Sequence, residues 1–364
     1  MKIGAAMRED NQRLVYLDFL RIVAVILVIF NHTDGCFLYY ANTGNPITFL
    51  YSMLGSIVCM TDVPLFFMIT GALLLGREET YGQLLRRRVL RIGIVLVLFS
   101  GIHYLVDAAR GAVETLSLAY FIQGLFCGTL VEQYWYLYAY LGILFLMPLL
   151  RAWVRGLRPQ DYGWLLLLEC ALGVLLPALY NLAGSTMPSY LYILSTYIFY
   201  LLMGYGLANE MVALPEIRGN RREAERNDRG GRLRGILIAI AICILLSMVY
   251  IMLMRKLRGD YDRSDMDVAA PILTILIFEA ARRLCAQPNV SDRAARTIRR
   301  LGSCSFGVYL LEHMVRILLL PIYLYLTEHS VGVIACTVYV IGTYVIGVMA
   351  TMILKKIPLL RELL

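Results

Sequence analysis

Long apolar runs separated by short basic segments constrain this chain more than any other feature. Runs such as LRIVAVILVIFN, IGIVLVLFSGI and ILIAIAICILLSMVYIMLM approach the roughly 20 apolar residues that a helix needs to cross hydrocarbon. Only 16% of residues are charged, against about 25% in an ordinary soluble domain, and mean hydropathy is +0.67. The expected fold is therefore all-α: a polytopic transmembrane bundle of about ten helices. The expected spans are Leu14–Asn31, Leu50–Leu75, Val89–Ala108, Tyr134–Val154, Gly163–Leu182, Tyr190–Ala208, Gly235–Met254, Val268–Ala286, Ser303–Leu326 and Ser330–Leu354.

Loop basicity sets the orientation. With a cytoplasmic N-terminus, the inside segments are Met1–Arg13, Gly76–Arg88, Arg155–Tyr162, Asn209–Arg234, Gln287–Gly302 and the tail from Lys355. Roughly 27 of the 34 Lys and Arg residues then fall inside and about 5 outside. Adding or removing one span would reverse the later basic loops, so both termini are expected in the cytoplasm of a multi-pass protein of the cell (plasma or inner) membrane. The net charge of +8 is explained by this loop bias and does not imply nucleic acid. The first apolar run contains Asp18 and Arg21 and lacks a small-residue cleavage site, so it reads as a retained helix rather than a signal peptide. Residues 1–364 form one transmembrane domain. Within it the basic loop Asn209–Arg234 reads as a solvated, mobile connector, with anionic headgroup binding as the alternative.

The eight cysteines show no metal-ligand spacing. Most, including Cys59, Cys170, Cys243 and Cys336, lie in apolar runs and read as small buried hydrophobes. Neither a disulfide nor a metal site follows from them.

Ionisable residues inside spans are costly and therefore candidate functional groups. In the first span, Arg21 and His32 are eleven residues apart. Helical geometry places them within roughly 20° of one face and about 16 Å apart along the axis. Asp18 lies one turn below Arg21, where the two can pair. Imidazole is the side chain suited to proton transfer near neutral pH, although Arg21 and His32 can equally be unrelated structural residues. In the second span Asp62 precedes Pro64, so a distorted helix is expected there. Thr70-Gly71 allows another backbone to approach closely.

Arg88 and Arg91, one turn apart, with Arg87 beside them, form either a membrane anchor or a clamp for a phosphorylated ligand. His103 and Asp107 share a face as a possible imidazole–carboxylate pair. Tyr134 and Trp135 open the fourth span as an interfacial belt or a sugar-stacking surface. Tyr309, His313 and Arg316, with Glu312 beside them, imply a polar network in the ninth span. Glu169 and Glu279 read as lone carboxylates without an assigned role.

At these residues the chain resembles the acyltransferase-3 family. LDFLRIVAVILVIFNH is similar to the family's opening pattern of Asp, Arg and, after ten intervening residues, His. VPLFFMITGALLL, LLRRRVLRI, YWYLYAYLGILFLMPLL and CSFGVYLLEH are similar to its later motifs, in family order along most of the chain. Ten helices with both ends inside is also the family's layout. The resemblance implies a membrane O-acyltransferase that takes an acyl group, usually acetyl from cytosolic acetyl-CoA, and passes it to a hydroxyl beyond the membrane. The acceptor is commonly a glycan or a lipid-linked saccharide.

Carried over, His32 is the base or acyl-handling residue, and Arg21, held by Asp18, lies in the acyl path. Arg88, Arg91 and Arg87, with Thr70, line the CoA side. Asp62, His103, Tyr134, Trp135, Tyr309 and His313 are candidate substrate contacts. No metal is implied.

Thr70 stands where the family usually has Ser. Glu312 occupies a slot where many members carry His; His313 follows one residue later, about 100° around the helix. The fourth-helix segment lacks the paired glutamates of larger glycan-modifying members. It looks more like a short stand-alone branch that includes the membrane domains of serine racemases, which have been assigned serine transport. Transport or export of a small polar solute such as serine is therefore the alternative function. A scaffold without chemistry would not need ionisable residues within its spans.

Overall fold

The computed structural model describes residues 2–33, 45–113, 116–185, 187, 196–212, 224–259, 263–286 and 290–364. These residues are all-helical, with no strand among them. Seven helices are long and apolar enough to cross a membrane. The remaining expected spans coincide with α1 (Lys2–Asn31), the shorter apolar helix α8 (Thr196–Ala208) and the 15-residue helix α10 (Ala270–Leu284); the part of the sixth expected span before Thr196 lies mostly outside the described residues.

Helix α1 forms the centre of the bundle. Leu20, Ala24, Val25 and Ile29 are completely buried, and their i, i+4, i+5, i+9 spacing is that of a helix face turned to a core. Around α1 pack α2 (Pro46–Cys59), α3 (Asp62–Leu74), α10, α11 (Asp292–Gly302), α12 (Ser305–His329) and α13 (Gly332–Leu354).

The other long elements are α4 (Tyr81–Ala109), α6 (Glu132–Gly156), α7 (Pro159–Leu182) and α9 (Ala224–Arg258), with the short apolar helix α5 (Leu118–Cys127) between α4 and α6. Exposed Leu237, Ile238, Ile242, Leu245, Leu246 and Val249 give α9 an apolar outer surface. Water would penalise such a surface, whereas lipid does not.

The second expected span is a single crossing-length stretch, Pro46–Leu74, broken into two helical segments. α2 ends at Cys59 and α3 begins at Asp62, with Pro64 in its first turn. Proline carries no amide hydrogen and fits that turn, where the amide would lack a helical partner in any case. α3 then packs against α8 backbone to backbone. A Cβ added to Gly71 would lie 1.9 Å from the Leu201 carbonyl oxygen, and one on Gly204 would lie 2.1 Å from that of Met68. These reciprocal glycines are the close approach anticipated at Thr70-Gly71.

The connector Asn209–Arg234 is not wholly irregular: α9 already begins at Ala224, while residues 213–223 lie outside the described residues. Glu279 is not a lone carboxylate either. It accepts from Arg282 at 2.7 and 3.0 Å and from Arg283 at 2.7 Å, because α10 places these arginines three and four residues further along one face. Cys336 also departs from its reading as a simple buried hydrophobe. It is disulfide-bonded.

Candidate functional site

A cavity of about 530 Å³ lies among the helices grouped around α1. α1 contributes Arg21, and His32 follows immediately after its last residue. α3 contributes Asp62 and Thr70, α4 contributes Arg88 and Arg91, α6 contributes Trp135, Tyr136 and Tyr140, and α12 contributes Ser305 and Tyr309. Eight of the residues expected from sequence thus share one chamber. The helical rise of about 16 Å between Arg21 and His32 gives the chamber a cationic part and an imidazole part.

The imidazole is held by residues remote in sequence. His32 Nδ1 lies 2.7 Å from Glu312 Oε1, and the Glu312 side chain is completely buried. Arg316 Nε donates to Glu312 Oε2 at 2.7 Å, and Arg316 Nη1 donates to the His32 carbonyl. An ionised carboxylate only accepts hydrogen bonds, so Nδ1 carries the proton and Nε2 is left as the basic nitrogen. The same two α12 side chains fix both the tautomer of His32 and the backbone that carries it. Next to His32, Asn31 donates to Asp62 Oδ2 at 2.9 Å, which ties the end of α1 to the α2–α3 break.

At the other part of the chamber, Asp18 Oδ1 pairs with Arg21 Nη1 at 2.6 Å. Asp18 does not line the chamber itself; it orients Arg21. Gly302 makes room for this turn of α1, since a Cβ there would lie 2.6 Å from that of Asp18. Thr70 donates its hydroxyl to the Phe66 carbonyl at 2.8 Å.

Arg88 and Arg91 line the chamber but are not a free clamp. Arg88 makes a two-pronged contact with Glu79, at 2.6 and 3.1 Å. Arg151 also donates to Glu79, at 2.9 Å, and to the Leu74 carbonyl at 3.0 Å. The hydrogen bond from Arg88, reinforced by Arg151, holds the Glu79 carboxyl down to about 2. Arg91 donates twice to the Leu363 carbonyl, at 3.2 and 3.0 Å. Arg88 lies within a π-type turn at Leu85–Val89 and Arg91 two residues beyond it; such a local widening of the helix is often found at functional sites. Arg87 is exposed and lies outside the chamber.

A model of the family described as an acyltransferase domain matches residues 14–352, nearly the whole chain. The chain belongs to the acyltransferase-3 family. No curated protein and no solved structure matches it. As a member of this family it is a multi-pass membrane protein with an acyltransferase domain.

Three candidate substrate contacts of this acyltransferase lie elsewhere. Tyr134 is buried and donates to the Leu310 carbonyl at 2.7 Å. His103 Nε2 lies 3.3 Å from the same oxygen. His313 stacks obliquely on His103, at 5.4 Å between ring centres, and its Nδ1 lies 3.4 Å from Arg316 Nη2. None of the three lines the chamber; they back the Glu312–Arg316 pair. The expected His103–Asp107 pair is replaced by His103 on Leu310, with Asp107 4.0 Å from Arg110. The register of α12 brings its Leu310 carbonyl to His103, and that tertiary contact overrides the i,i+4 spacing. Tyr309 lines the chamber and donates to the Gln133 carbonyl at 2.5 Å.

The sequence placed Glu312 and Arg316 in a polar network of the ninth span without joining them to His32, and Tyr136 and Tyr140 were not among its site residues. For Glu312 the available signal was a carboxylate inside an apolar span with Arg one turn on. The tyrosines carried no signal beyond their aromaticity.

Proposed function

We propose that the chain transfers an acyl group, acetyl in the simplest case, from a cytosolic acyl-CoA to a hydroxyl of an extracytoplasmic cell-envelope glycan or lipid-linked precursor. The observation that carries this reading is His32, held by Glu312 and Arg316, on the wall of a chamber that also contains Arg21, Arg88 and Arg91. The donor substrate supplies an activated thioester carbonyl. The residues present fit it: guanidinium forks suit its phosphates, and the pantetheine arm is comparable to the roughly 16 Å between Arg21 and His32.

His32 Nε2 takes the acceptor hydroxyl proton as that oxygen bonds to the acyl carbon, and returns it to the departing thiolate as the C–S bond breaks. Glu312 keeps the correct nitrogen basic and stabilises the imidazolium formed in between. Arg91 exchanges the Leu363 carbonyl for a donor phosphate, while Arg88 remains braced by Glu79.

We place the protein in the plasma or inner membrane with ten crossings and both described ends on the cytoplasmic side. The loop arginines support that orientation. The disulfide at Cys336 supports it too: it lies in the first turns of α13, which this orientation puts near the outer, oxidising face.

A second reading, passage of a small polar solute such as serine, draws on the α2–α3 break at Met60–Thr61, because interrupted helices line many transport paths. Membranes containing wild type or His32→Ala, given acetyl-labelled CoA, separate the two. Label entering glycan or lipid fractions only with wild type supports acyl transfer. No label with folded wild type, together with serine uptake, overturns it.

A further inference from the structure

A second cavity, of about 510 Å³, adjoins the first and shares with it Asp62, Val63 and Trp135. Its chemistry differs. Asp62, Glu169 and Asp267 line it, and no Lys, Arg or His is among its described lining residues. Among the described lining residues the ionisable side chains that can carry charge near neutral pH are carboxylates, which favours a cationic occupant.

Glu169 makes the case more specific. It is 6% exposed, and its Oε1 has no hydrogen-bond partner. A buried carboxylate oxygen left unsatisfied is costly and rare, so it calls for a ligand donor. The local backbone is shaped around it. A π-type turn at Cys170–Leu175 follows Glu169 directly, and such turns cluster at functional sites. Gly173, also on the cavity wall, leaves space for the carboxylate: a Cβ there would lie 2.5 Å from Oε1. Trp135 and Tyr197, with ring centres 6.1 Å apart, add aromatic faces that attract cations and pack against sugar rings.

We infer that this cavity is the acceptor subsite, and that it takes a hydroxyl-bearing acceptor carrying a protonated amine, such as an amino sugar. The assignment rests on acyl transfer at His32. The shared wall supports it: Asn31, next to His32, holds Asp62 on one side, and Asp62 faces the second cavity on the other. The donor occupies the arginine-lined chamber, the acceptor occupies the carboxylate-lined one, and the reacting hydroxyl meets His32 past Asp62 and Trp135.

The test uses the full chain in lipid nanodiscs and equilibrium dialysis with labelled glucosamine and labelled glucose, at a pH where the amine is protonated. Wild type should bind glucosamine about tenfold more tightly than glucose, the effect of one charge-assisted hydrogen bond. Glu169→Gln, and separately Gly173→Ala, should reduce that preference to near unity. Equal affinity of wild type for the two sugars overturns the proposal without any variant. A preference that persists in both folded variants also overturns it. Labelled acetyl-CoA in parallel separates this proposal from the reading beneath it. Undiminished acetylation of an amine-bearing acceptor by Glu169→Gln overturns the subsite and leaves acyl transfer standing. Amine-dependent binding without any acetyl transfer retains the ligand class and overturns the enzymatic reading.

Discussion

Glu312 Oε1 lies 2.7 Å from His32 Nδ1 across 280 positions of sequence, and Arg316 holds both the other carboxylate oxygen and the His32 carbonyl. Glu312 therefore selects the imidazole tautomer, and α12 is part of the machinery carried by α1. An amide in place of the carboxylate can donate to Nδ1 and so place the proton on Nε2.

Glu312→Gln should lower kcat for acetyl transfer by about 10²–10⁴-fold, with little change in KM for the donor, because the base would be in the wrong tautomer while the cavity stays intact. Transfer of label from acetyl-CoA, measured over a range of donor concentrations, checks this. A changed donor KM with unchanged kcat would assign Glu312 to binding instead.

Arg88 and Arg91 should separate in their effects. Among the described residues Arg91 donates only to the Leu363 carbonyl, so Arg91→Ala should raise donor KM by about tenfold and leave thermal stability near wild type. Arg88→Ala also strips Glu79 of one of its two arginines. It should raise donor KM and lower Tm together. Initial rates paired with thermal unfolding in detergent distinguish them, and equal Tm for both variants would count against the Glu79 brace.

The α3–α8 contact should tolerate no added carbon. Gly71→Ala and Gly204→Ala each push a methyl against a backbone oxygen, at 1.9 and 2.1 Å. Each should cost about 3 kcal/mol, since a backbone cannot swing aside as a side chain can. Denaturant-induced unfolding in mixed micelles reads this directly. Gly82, with nothing within 4 Å of its added Cβ, serves as the control and should change stability by less than about 0.5 kcal/mol.

The Glu79 brace should be sensitive to acid only. Glu79 falls from 4.5 to about 2 on folding. Its contribution is thus fully present above pH 4.5 and is lost as pH falls through about 2. Between pH 5 and 8 wild type and Glu79→Gln should show parallel stability curves; below 4.5 the difference between them should shrink. A difference that changes between pH 6 and 7 would contradict the depressed carboxyl.

The chain's own order determined the membrane fold, because the length of an apolar run and the cost of a charge in lipid are local quantities. The same local reasoning located Arg21 and His32 on one helix face, the Asp18–Arg21 pair, the break before Pro64 and the close approach at Gly71. Each depends on residues within a few turns of one another. The tertiary structure decided the partners. It chose Glu312 for His32, Glu79 for Arg88, Leu310 for His103 and a disulfide for Cys336, and it left Arg87 outside the chamber. Those choices depend on which faces of distant helices meet, and that is set by packing contacts such as Gly71 on Leu201 and Gly302 on Asp18. A one-residue rotation of α12 would turn its side chains by about 100° and exchange Glu312 for His313 at the imidazole, with no change in apolar content to mark the difference.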